Sequence, residues 1–185
     1  MKYRDIIYLI RYPFKTINSQ LKRGIIGYLG DDNKIPEIDS VLNCMRATGL
    51  FTPNTISALS KHTNPEQVLA IIWCLDQAIP LSYEEYKSWY IISYDNLNLN
   101  IRDELSRLLN HLGEEQSIEK VLKVSRALSV STAKSNQKEN NNSYLSMNLS
   151  VIEKENIQNV LDCFEIEYSP SGISYRGEET KFEFP

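Results

Sequence analysis

The chain has 185 residues, 42% of them hydrophobic and 24% charged, with a formal charge of −4 at pH 7. This is ordinary for a globular protein of one domain or two and is enough to bury a core. The longest apolar run, residues 68–75, is far below the roughly 18 residues a spanning helix needs, so no membrane segment is expected.

Helix punctuation dominates the first two thirds, where Pro and capping residues stand just before apolar runs of helical spacing. Residues 3–12 predict a first helix on Ile6, Ile7, Leu9 and Ile10, with Pro13 ending it or beginning the next. Phe14, Ile17, Leu21, Ile25 and Tyr28 then recur at steps of three or four, the stripe of an amphipathic helix closed by Gly30 and the polar residues 31–34. Pro36 opens a helix with Ile38, Val41, Leu42 and Met45 on one face and Gly49 at its stop. Thr52-Pro53 and Asn64-Pro65 each set a capping side chain before a Pro at the first helical position, where a missing N–H is no loss. The second of these helices runs through 68–75, apolar on every face, and is expected to be enclosed by the others and to end at Pro80. Ser82 with Glu85 reads as a capping box for a helix holding Tyr83, Tyr86, Trp89, Tyr90 and Ile92. Two more helices, about 100–112 and 114–130, are broken at Gly113.

Residues 129–143 lose all periodicity and almost all apolar content, the pattern of a polar flexible linker or long loop. Beyond them Tyr144, Leu145, Met147, Leu149 and Val151 alternate loosely, as a strand does, and Ser150 with Glu153 caps a short helix through Ile157, Val160, Leu161 and Phe164. Residues 165–168 and 173–175 alternate on either side of the turn Pro170-Ser171-Gly172. The expected fold class is mainly α. A multi-helix bundle body of about seven helices occupies residues 1–128, a linker residues 129–143, and a small acidic α+β tail of strand, helix and hairpin residues 144–185. A tail of about 40 residues is marginal alone, so it is expected to pack on the body or on a partner.

Chemistry is sparse. The apolar stretch 6–10 is broken by Arg11 and lacks a small-residue cleavage site, so a soluble cytoplasmic protein is expected. Cys44, Cys74 and Cys163 are odd in number, far apart and set in apolar helical patterns, which fits reduced core residues rather than disulfides or zinc ligands. His62 and His111 stand apart from any second ligand and read as helix-end residues. No Gly-rich phosphate loop, HExxH, CxxC, GxSxG or EF-hand loop occurs, so no catalytic residue, metal or cofactor is assigned. A pocket would be sought only along the Tyr-rich stretch 82–94.

The charge is polarised. Residues 1–30 carry Lys2, Arg4, Arg11, Lys15, Lys22 and Arg23 against Asp5, a net +5, whereas residues 151–185 carry eight carboxylates against Lys154, Arg176 and Lys181, a net −5. In the basic segment Arg4, Tyr8, Arg11, Tyr12, Lys22 and Arg23 interleave cations with aromatics, a pattern that grips nucleic acid or an acidic protein surface. In the tail Glu165, Glu167, Glu178, Glu179 and Glu183 gather around Phe182 and Phe184, an anionic surface suited to a basic or nucleic-acid-binding protein, unless the tail rests on its own N-terminal segment. Residues 52–79 resemble a helix-turn-helix in spacing, yet the second helix presents Glu66, Gln67, Asp76 and Gln77 and no cation. These features favour a non-catalytic protein–protein interaction protein, such as an immunity or inhibitor protein or an accessory subunit. The alternative is a helix-turn-helix-containing nucleic-acid-associated regulator; direct DNA binding is the weaker expectation.

Overall fold

The computed structural model describes residues 6–23, 35–81, 89–114, 118–123, 148–169, 172–175 and 181–183. The chain is mainly helical with a small strand component and an α+β tail. Strand β1 (Ile7–Ile10) leads into helix α1 (Pro13–Arg23), followed by α2 (Ile38–Thr48), α3 (Pro53–Leu59) and α4 (Pro65–Leu81). Strand β2 (Tyr90–Ser93) precedes α5 (Tyr94–Leu99), α6 (Ile101–His111) and α7, described over 118–123. The tail holds α8 (Val151–Cys163) and strands β3 (Ile166–Ser169), β4 (Gly172–Tyr175) and β5 (Lys181–Glu183).

Several boundaries fall where the sequence places them. Gly49 ends α2 with φ 68°, a left-handed conformation that glycine adopts without a Cβ clash. Thr52 caps α3 by accepting from Thr55 N–H, and Ser150 and Glu153 form the reciprocal capping box of α8. The linker 129–143 and the cap at Ser82 lie outside the described residues.

Three expectations need correction. Within the apolar run 6–10, residues 7–10 form a strand, not a helix. Five residues are too few for their period to separate the two, and Tyr12, standing before Pro13, is biased toward extended backbone, so Pro13 begins α1. Residues 90–93 are likewise a strand. The β-branched pair Ile91–Ile92 lies parallel to β1, with Ile7 opposite Tyr90 and Ile10 opposite Ser93. Val151 opens α8 rather than ending a strand, because the capping box commits it to the first helical position.

Helix α4 is the centre. Val68, Leu69, Ala70, Ile71, Trp73 and Cys74 are all buried, and α1, α2 and α8 pack against it. The helix also continues one residue past its expected end, with Pro80 inside its last turn. Proline has no N–H to donate to the carbonyl four residues back, which leaves the oxygen of Asp76 without its helical partner. The hydroxyl of Tyr8 on β1 donates to that oxygen at 2.6 Å and lies 3.1 Å from Gln77 Oε1. The gap made by the proline is thus the site at which β1 fastens to the helix. Burial, reinforced by Asp76, raises the Tyr8 pKa well above its ordinary value.

The tail packs on the body. Ile157, Val160 and Leu161 of α8 and Phe164 at its C-cap join the same buried cluster as Leu42, Met45, Leu59 and Leu69, and Asn156 Nδ2 donates to Glu66 Oε1 at 2.7 Å. In the tail sheet β4 lies between β3 and β5, antiparallel to both, with Ile173 opposite Tyr168 and Phe182.

Two measurements follow. Tyr8→Phe should lower the free energy of unfolding in urea by about 1–3 kcal/mol in an otherwise unchanged chain, and by clearly less in a Pro80→Ala background, where residue 80 supplies its own N–H. Ile157→Ala, at a side chain with no exposed surface, should cost about 2–5 kcal/mol and shift the unfolding of the whole chain in one transition.

Candidate functional site

Tyr8, Arg11, Tyr12 and Lys15 of the basic segment are held by their own chain. Trp73 Nε1 donates to the carbonyl of Arg11 at 3.2 Å, and the Arg11 guanidinium lies 5.1 Å from the centre of the Tyr94 ring. The backbone N–H of Tyr12 donates to Asp95 Oδ2 at 3.0 Å, and Lys15 Nζ reaches Asp95 Oδ1 at 2.6 Å. One carboxylate on α5 therefore binds the start of α1, where unsatisfied N–H groups and the helix dipole favour negative charge. Tyr8 packs on Trp89, ring centres 5.5 Å apart. Of the six residues predicted here to bind a partner, Tyr8, Arg11 and Tyr12 are thus engaged internally and Lys22 is exposed. Arg4 lies outside the described residues, as does the side chain of Arg23.

Among the described residues the acidic tail meets this segment through aromatics rather than charge. Tyr168 on β3 contacts Tyr12 at 5.2 Å and Trp73 at 6.3 Å between ring centres, and its hydroxyl lies 3.5 Å from Ser93 Oγ. Burial is the main cause that pushes the Tyr168 pKa up to about 12, against the lowering effect of the Ser93 hydroxyl. Ile166 and Phe164 are buried on either side of Glu165, which takes a positive φ of 54° in the turn from α8 into β3. Alternation along β3 turns Ile166 and Tyr168 toward the body and Glu167 away from it. Glu165 and Glu167 are both exposed, and neither makes an ion pair among the described residues. Glu183 and Phe182 stand on β5 opposite Gly172 and Ile173, while Glu178, Glu179 and Phe184 lie outside the described residues.

The segment of helix-turn-helix spacing forms α3 and α4. Glu66 and Gln67 are buried, the first bonded to Asn156 and the second accepting from Asn64 N–H and donating to His62 Nδ1. That donation leaves the His62 proton on Nε2, which faces Cys163 Sγ at 3.9 Å. Burial, chiefly, lowers the His62 pKa and raises that of Cys163, so the pair is a neutral imidazole and a thiol rather than an activated ion pair. Cys74 is buried as expected, whereas Cys44 is exposed. Among the described residues no three His, Cys, Asp or Glu side chains are grouped to hold a metal. A shallow cavity of about 380 Å³ lies over α2 and α3, lined by Arg46, Pro53, Ile56, Ser57 and Ser60.

Sequence reasoning missed the apolar side chains the fold turns outward. Ile6, Ile7 and Leu9 are 44–50% exposed beside β2, and Val151 and Ile152 are 71% and 69% exposed at the start of α8. A wheel drawn from the capping box would have placed the second pair opposite the buried face. No helix of the described residues is long and apolar enough to cross a membrane. Comparison of the chain with protein-family models, curated proteins and solved structures returns no match.

Because the folded-state pKa of Tyr168 lies above its ordinary value of 10, its contribution to stability is full below pH 10 and is lost as pH rises toward 12. Tyr168→Phe should therefore lose less stability than the parent chain over that interval in urea titrations, and phenolate absorbance should show one late-ionising tyrosine fewer.

Proposed function

We propose that the protein acts without catalysis as a partner-binding protein, such as an immunity or inhibitor protein or an accessory subunit of a larger assembly, and that its partner is a basic or nucleic-acid-binding protein. The observation that carries this reading is the division of labour within the tail. Phe164, Ile166 and Tyr168 lie against the body, while Glu165 and Glu167 are left outward without an ion pair among the described residues. The net −5 of residues 151–185 extends the same field. Fixed negative charge on a rigid support raises the rate at which a cationic surface is met and selects against acidic ones.

The test is recovery of the full-length protein from native lysate together with a basic protein that is released as salt is raised. Reversal of Glu165, Glu167, Glu178, Glu179 and Glu183 to Lys should slow association with that protein by about tenfold or more at low ionic strength, with the difference shrinking in high salt. Recovery of the protein only as a monomer would sink the reading.

A further inference from the structure

Helix α8 carries a second face whose composition its own fold does not explain. Ile157, Val160, Leu161 and Phe164 point into the core, and on the opposite side Val151, Ile152, Glu155, Asn159 and Asp162 are exposed. Val151 and Ile152 are 71% and 69% exposed, adjacent, and β-branched. Such residues lower helix propensity slightly, and the capping box formed by Ser150 and Glu153 does not involve their side chains. Neither local structure nor packing within the described residues accounts for them.

From this face we infer that α8 docks a basic amphipathic helix of another protein, with Val151 and Ile152 as its apolar anchor and Glu155, Asp162 and Glu165 as its charge clamp. The inference rests on the partner-binding reading and gives that partner a shape. A helix is indicated because Ile152, Glu155, Asn159 and Asp162 recur at intervals of three, four and three, the spacing by which one helix lies along another. The stripe is about 15 Å long. Charge complementarity then decides the occupant. The apolar end takes a Leu or Ile, the rest of the stripe and exposed Glu165 at its end take Lys or Arg, and Lys154 stands only on the half-buried flank. An acidic or uncharged helix would leave the carboxylates unmatched, and an extended strand would not follow the period.

The probe is a fluorescent synthetic helical peptide with two leucines at one end and Lys or Arg at three- and four-residue spacing along one face, compared with a scrambled peptide of the same composition. The patterned peptide should bind the full-length protein more tightly than the scrambled one, and Ile152→Ser and the pair Glu155→Lys, Asp162→Lys should each weaken it by about tenfold or more, the charge pair also flattening its salt dependence. All three positions are exposed, so unchanged circular dichroism and thermal midpoint are expected. Equal binding of patterned and scrambled peptides, or parent-like binding by the α8 variants, would overturn the inference. If those variants bind normally while reversal of Glu167, Glu178, Glu179 and Glu183 abolishes binding, the docking face is wrong and the acidic-tail reading stands; if neither set matters, both fall. Self-association of the protein alone that Ile152→Ser abolishes would assign the face to a second copy and likewise overturn the proposal.

Discussion

Enclosure of α4 is the constraint on which the other elements depend. Residues 68–75 place apolar side chains on every side of one helix, and apolar surface left in water costs about 25 cal/mol for each Å². Such a helix is stable only if other elements surround it. Helices α1, α2 and α8 do so from three different parts of the chain, and the strand β1 is fastened to its final turn. The tail helix is one wall of this enclosure. Its Ile157, Val160 and Leu161 are buried in the same cluster as the body's Leu59 and Leu69.

Many of the polar groups near this core bond within the fold. Asp95 occupies both Tyr12 N–H and Lys15, Glu66 takes Asn156, Gln67 spans Asn64 and His62, and buried Glu104 pairs with Arg107. Tyr90 stacks on His111 beside that pair, with ring centres 4.4 Å apart. These are bonds within the fold, and they occupy Tyr12 N–H and Lys15 of the first segment. Charge opposition between the two ends suggests an ionic contact. Among the described residues the contact is between tyrosine rings instead, and Glu165 and Glu167 are exposed without an ion pair.

Punctuation was the most legible feature of the sequence. Gly49, Thr52-Pro53 and the Ser150–Glu153 box act through backbone groups within a few residues of themselves, so their effect is visible without tertiary information. The enclosed helix was legible for a related reason, since a run with no polar face has only one kind of environment. The candidate acidic surface was readable as a charge excess. Which of its carboxylates face outward was not, because that depends on strand alternation along β3 and on the turn at Glu165.

The helix limits set by local caps, the central place of α4, the mainly helical class and the polarity of charge are all written in the order of residues along the chain. That 7–10 and 90–93 are paired strands emerges from the packed fold alone, because parallel pairing joins residues far apart in the chain and a short apolar run has no period of its own. The packed fold also decided that Tyr8 serves the carbonyl exposed by Pro80, that Tyr168 closes on Tyr12, and that Val151 and Ile152 face water. Each of these is a distance or a direction between elements, fixed by how they pack around one enclosed helix.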